Sequence, residues 1–84
     1  MTKTVYFWLR LIRDYNVPEA AEKLRISEQY VRAIENGKRK PSVRLKKDFS
    51  KLYNVDETII EQFYAEKPVA TDKFLLRLLN CIVS

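Results

Sequence analysis

The sequence predicts an all-α fold, a five-helix domain followed by a sixth helix at the C-terminus. Two observations carry this. Apolar residues recur at helical spacing through most of the chain, and residues suited to capping helix N-termini (Asn16, Ser27, Ser42, Asp56) fall between the apolar groups.

In the first helix, from about Thr4 to about Arg13, Val5, Trp8, Leu9 and Ile12 stand at i, i+3, i+4 and i+7, one buried stripe, and Asp14-Tyr15-Asn16 closes the segment. Asn16 can cap the second helix, with Glu19 reaching back as in a capping box and Pro18 suited to a first turn that does not need its N–H. Ala20, Ala21 and Leu24 give that helix a lean apolar face, which lets a neighbour approach closely. After the break Leu24-Arg25-Ile26, Ser27 caps a third helix. Val31 and Ile34 point one way, while Glu28, Gln29, Arg32 and Ala33 lie largely opposite. Asn36-Gly37 stops it, because glycine adopts the left-handed conformation at little steric cost.

Pro41-Ser42 opens a fourth helix with Leu45, Phe49 and Leu52 inward and Lys46, Lys47 and Lys51 outward. Asp56 caps a fifth, with Ile59, Ile60 and Phe63 inward. Around "AEKPVATD" the pattern lapses into a short linker ending in a cap, Thr71 or Asp72.

Composition bounds the function. At 84 residues the chain is one fold, able to bury roughly 60% of its unfolded surface. Apolar residues at 46% and charged residues at 32% describe a globular chain rather than a disordered one. The net charge is +5, and the excess is concentrated: Lys38, Arg39, Lys40, Arg44, Lys46 and Lys47 lie between Asn36 and Lys47 with no acid among them. That field favours a polyanion, nucleic acid or an anionic membrane surface, though a charge run can equally be a solvated face. With one cysteine and no histidine, an internal disulfide and the common zinc patterns are excluded, so no metal or other cofactor is expected. The apolar stretch "VYFWL" is too short for a signal peptide or a membrane span. A cytoplasmic, nucleoid-associated protein is expected. Catalysis has no evident seat: there is no histidine, no cysteine beside a base, no glycine-rich phosphate loop and no carboxylate cluster.

Two short helices joined by a tight break and followed by a glycine and basic residues are what a DNA-reading helix-turn-helix requires. From about Val5 to about Phe63 the sequence resembles the lambdoid repressor and Cro (Xre-type) class of helix-turn-helix domains. The residues that carry the resemblance are "AAEKLRISEQYVRAIENGKRKPS". It implies a repressor-like domain with the third helix in the major groove of double-stranded DNA. It places base reading on Glu28, Gln29 and Ala33, with Tyr30 and Arg32 beside them, and phosphate gripping on Asn16, Asn36, Lys38, Arg39 and Lys40, with Arg44 near the same surface. It also pairs Arg10 structurally with Glu35, Arg10 reaching phosphate as well, and makes Gly37 the stop that launches the basic loop. Side-chain chemistry suits these positions to base edges, since Gln29 can pair with adenine, Glu28 can accept from cytosine, Ala33 can meet a thymine methyl, and Arg32 can reach guanine or phosphate. Two positions depart from the class. Arg25 stands where glycine is usual, at a cost of roughly 1–2 kcal/mol if its φ is positive, and Val17-Pro18 lacks a common phosphate-holding polar residue.

The tail "TDKFLLRLLNCIVS" lies outside the resemblance. Lys73, Arg77, Asn80 and Ser84 form one narrow polar stripe on a helix, leaving more apolar surface than packing on one domain needs. The expected division is a DNA-binding domain over residues 1–66 and a linker with an apolar helix over 67–84. That helix is expected to pack on its own domain and to form a two-fold homodimer interface through Phe74, Leu75, Leu78, Leu79 and Ile82; a purely internal packing role is the alternative. The reading is a transcriptional regulator, a dimeric repressor of phage or mobile-element type on a near-palindromic operator. Alternatives are an antitoxin that binds a toxin and its own promoter, or a protein-interaction module using the last helix. No membrane contact or small-molecule ligand is indicated.

Overall fold

The computed structural model describes residues 3–65 and 71–83, which form six helices and, among the described residues, no strand. These are α1 (Val5–Ile12), α2 (Val17–Leu24), α3 (Glu28–Glu35), α4 (Val43–Tyr53), α5 (Glu57–Ala65) and α6 (Thr71–Val83). The all-α fold class is therefore as expected. Residues 66–70, read as a linker, and the side chains of Thr71 and Asp72, read as the last cap, lie outside the described residues.

The capping residues set the helix starts. Asn16 Oδ1 accepts from the Glu19 amide at 2.8 Å while Glu19 Oε1 accepts from the Asn16 amide at 3.1 Å, a complete capping box. Ser27 Oγ accepts from the Tyr30 amide, Ser42 Oγ from the Leu45 amide and Asp56 Oδ1 from the Thr58 amide. Each satisfies a donor that the first turn would otherwise leave unpaired. Two of the stops use left-handed residues, Arg25 after α2 at φ 59° and Asn54 after α4 at φ 53°.

The core gathers where α1, α4 and α5 meet, with α2 bridging α3 and α4. Tyr6 is its centre: its ring lies 4.5 Å from that of Phe49 and 5.6 Å from that of Tyr64. The buried stripe of α1 is consequently rotated from the expected one. Val5, Tyr6, Leu9 and Arg10 face inward, and Trp8 and Ile12 lie at the margin. On α4 the inward set is Leu45, Phe49 and Tyr53, with Leu52 half-buried, because Tyr53 stacks on Phe49 at 5.8 Å. On α5, Ile60 and Phe63 are buried and Ile59 is half-buried.

α6 joins this core. Phe74 meets Phe63 edge to face at 5.4 Å, and Leu78 is fully buried. Of the five side chains expected at a partner interface, Phe74 and Leu78 are thus covered by the chain itself, since both belong to its buried core cluster and Phe74 packs on Phe63. Leu75, Leu79 and Ile82 remain half-buried, and Leu76 is 61% exposed.

Candidate nucleic-acid interface

α3 is split by its own periodicity into an inner and an outer half. Val31 and Ile34 are fully buried, whereas Glu28, Gln29 and Arg32 are exposed and Tyr30 and Ala33 are half-buried. The outer half includes a pair four residues apart, in which Arg32 Nη2 lies 3.5 Å from Glu28 Oε1 with both side chains about half exposed. Such a solvated pair contributes only about 0.2–0.5 kcal/mol, so either partner is released readily to another acceptor or donor.

The end of α3 is held from two sides. Gly37, at φ 77°, turns the chain so that the amides of Lys38 and Arg39 both point back to the Ala33 carbonyl, at 2.8 and 3.3 Å. From the other side the Thr4 amide donates to the Glu35 carbonyl at 2.9 Å and Thr4 Oγ1 to the Ile34 carbonyl at 3.0 Å. Lys3 Nζ donates to Asn36 Oδ1. The residues before α1 therefore meet the segment from Asn36 to Lys40, where phosphate contacts are expected, and place Lys3 beside Asn36. Sequence reasoning missed this, because a Lys-Thr before the first helix has no periodic signal and its partners lie some thirty residues away.

Lys38, Arg39 and Lys40 are all exposed, and buried Pro41 closes the loop. Arg39 is distinguished by its guanidinium, which sits 6.0 Å from the centre of the Tyr30 ring. Ser27, Gln29, Tyr30, Ala33 and Arg39 line a surface cleft of about 390 Å³. On the other side of Tyr30 a second cleft, of about 300 Å³, brings exposed Arg44 together with Arg25 and Ile26. Asn16 is exposed at the start of α2, with its side-chain carbonyl oxygen engaged by the Glu19 amide. Lys46, counted in the basic run, pairs with Glu61 of α5 at 2.8 Å and is turned to the domain.

Beneath the surface, Arg10 Nε donates to Glu35 Oε2 at 2.7 Å and Nη2 to Oε1 at 3.2 Å, while Nη1 donates to the Tyr15 carbonyl at 3.0 Å. Its side chain is 11% exposed and that of Glu35 4%. All three nitrogens make bonds inside the domain, so the pairing with Glu35 is the role that the geometry shows for Arg10. Arg10 is the structural partner of Glu35.

Two short helices joined through Arg25-Ile26-Ser27, the second with an outer polar face between flanking cations, define a helix-turn-helix DNA-binding domain. Residues 8–60 match the Helix-turn-helix family (HTH_3), the Xre and Cro/CI type, and the chain belongs to that family. It is a DNA-binding transcription regulator of this kind. No curated protein and no solved structure matches the chain. Among the described residues, no helix is long and apolar enough to cross a membrane.

Proposed function

We propose that the protein is a dimeric repressor of phage or mobile-element type that lays α3 in the major groove of a near-palindromic operator. The observation that carries this is the division of α3, whose exposed residues Glu28, Gln29 and Arg32 stand apart from the core and are flanked at the helix end by Lys3, Lys38 and Lys40. In this reading Gln29 pairs with an adenine edge, Glu28 accepts from a cytosine amino group and Ala33 meets a thymine methyl. Arg32 is free to leave Glu28 for guanine or phosphate. Asn16, Asn36, Lys38, Lys40 and Arg44, joined by Lys3, hold the phosphates and set the register.

The second copy sits on α6. Leu75, Leu76, Leu79 and Ile82 form an apolar stripe beside the buried Phe74 and Leu78, and a leucine as exposed as Leu76 in so apolar a helix favours a covered state. Two-fold pairing would set two copies of α3 about one DNA turn apart, roughly 34 Å, which a near-palindrome matches. The same stripe supports the antitoxin reading, with a toxin in place of the second copy.

Selection from randomised duplex DNA, with affinity for the winner followed across salt, tests this function. A near-palindromic winner with a steep inverse salt dependence is expected. Binding without sequence preference would refute it.

A further inference from the structure

We propose that Arg39 reads a guanine in the major groove, held on the face of Tyr30, instead of gripping a phosphate with its neighbours Lys38 and Lys40. This rests on the operator-reading function above and assigns it a further specificity-determining residue.

The three basic residues of the loop are not equivalent. Lys38 and Lys40 are exposed point charges on flexible stems, well suited to phosphates that offer charge and little shape. The Arg39 amide is drawn back to the Ala33 carbonyl, so its Cα is fixed beside the reading half of α3. Its guanidinium lies 6.0 Å from the Tyr30 ring centre, at the outer limit of an effective cation–π contact. A contact with a ring at that distance uses none of the guanidinium N–H groups, which stay available to a planar pair of acceptors. No carboxylate among the described residues pairs with it.

What that fork would meet follows from the cleft. Arg39 shares it with Gln29 and Ala33, side chains that face base edges when α3 lies in the groove. Guanine offers two acceptors there, O6 and N7, spaced for a planar pair of donors, and no other base offers that pattern. The guanine read by Arg39 is therefore next to the base pair read by Gln29 and Ala33. Tyr30 acts as a positioning residue: it is half-buried, so its ring is fixed from behind, and it stands between the two clefts.

The test compares base preference at every operator position for the full chain and for Arg39→Lys, Arg39→Gln, Tyr30→Phe and Tyr30→Leu. Arg39→Lys keeps the charge and loses the fork, and its exposed position leaves the fold intact. The expected result is a loss of about 5- to 150-fold in guanine discrimination at one position, the range that one bidentate pair supplies, with other positions unchanged. Tyr30→Phe retains the preference and Tyr30→Leu weakens it at that same position. The inference is overturned if Arg39→Lys leaves every preference intact while Arg39→Gln weakens all sequences equally and lowers the salt slope by about one, the signature of a phosphate contact. If the unmodified chain selects no motif at all, the operator-reading function itself fails, and this inference with it.

Discussion

Arg10 and Glu35 meet through two parallel hydrogen bonds, 2.7 and 3.2 Å, in a nearly sealed space between α1 and the last turn of α3. A buried pair of this kind contributes little net stability against an apolar pair of the same shape, but removing one partner leaves a stranded charge. Arg10→Ala and Glu35→Ala are each expected to cost about 3–5 kcal/mol in urea unfolding, and the double change Arg10→Met with Glu35→Leu to recover much of it. Single changes costing under about 1 kcal/mol would show that the pair is solvated.

Tyr53 is fully buried, yet its hydroxyl finds no hydrogen-bond partner among the described residues. A buried hydroxyl without a hydrogen bond carries a desolvation penalty that phenylalanine lacks. Tyr53→Phe should preserve the stacking on Phe49 and raise stability by about 1 kcal/mol in the same assay. A decrease would mean that the hydroxyl is satisfied in solution.

Burial also pushes the Tyr6 and Tyr53 phenols far above their ordinary value of 10.0; nearby Glu61 for Tyr6 and Glu35 for Tyr53 add to the effect. Both groups stay protonated in the folded chain at a pH where the unfolded chain ionises them. Ionisation of these phenols thus leaves stability unchanged below about pH 10 and lowers it as pH rises beyond that. The unfolding midpoint should fall above that pH, and the double variant Tyr6→Phe, Tyr53→Phe should flatten the decline. An equally steep decline in that variant would place the titrating group elsewhere.

Arg25 occupies the left-handed region at φ 59° and ψ 43° without the freedom of glycine. Glycine relieves roughly 1–2 kcal/mol of strain there and returns part of it as unfolded-chain entropy. Arg25→Gly should therefore stabilise the domain by up to about 1 kcal/mol, measured by thermal melting. A lower melting temperature would mean that the Arg25 side chain contributes more than its backbone strain removes.

On α6, neighbouring leucines have different work. Leu78→Ala should cost about 2–5 kcal/mol, as expected for a fully buried leucine, whatever the oligomeric state. If the proposed dimer forms through this stripe, Leu76→Glu should leave the fold intact and sediment as a monomer where the unmodified chain sediments as a dimer. Deleting the whole helix is a poorer test, because it strips Phe74 and Leu78 from the core. A Leu76→Glu protein that still sediments as a dimer would move the interface off this stripe.

Much of the fold was legible because capping chemistry is local. Asn16 with Glu19, Ser27, Ser42 and Asp56 each act within three residues of themselves, and Arg25 stood out by occupying a position that wanted glycine. Tyr6 and Tyr53 were not legible as core centres, since a phenol fits both a margin and an interior and only the meeting of α1 with α4 decides between them. In α6 the apolar residues run nearly all round the helix, so periodicity could not say that Phe74 and Leu78 face inward and Leu76 outward. At the candidate site, the exposed residues of α3 followed from its spacing. The tie from Lys3 to Asn36 and the approach of Arg39 to the Tyr30 ring exist only once the chain is folded.

The core side of α3 uses the buried Val31, Ile34 and Glu35, and its cap is Ser27, ahead of the helix; none of these is Glu28, Gln29 or Arg32. Residues 28, 29 and 32 can therefore be exchanged with almost no effect on folding, and the half-exposed residue 33 with little. If the outer face of α3 reads the operator as proposed, a lineage carrying this chain can drift from one operator to another by changes there, through intermediates that all remain folded. The same separation makes the domain a scaffold on which a library of reading surfaces could be displayed.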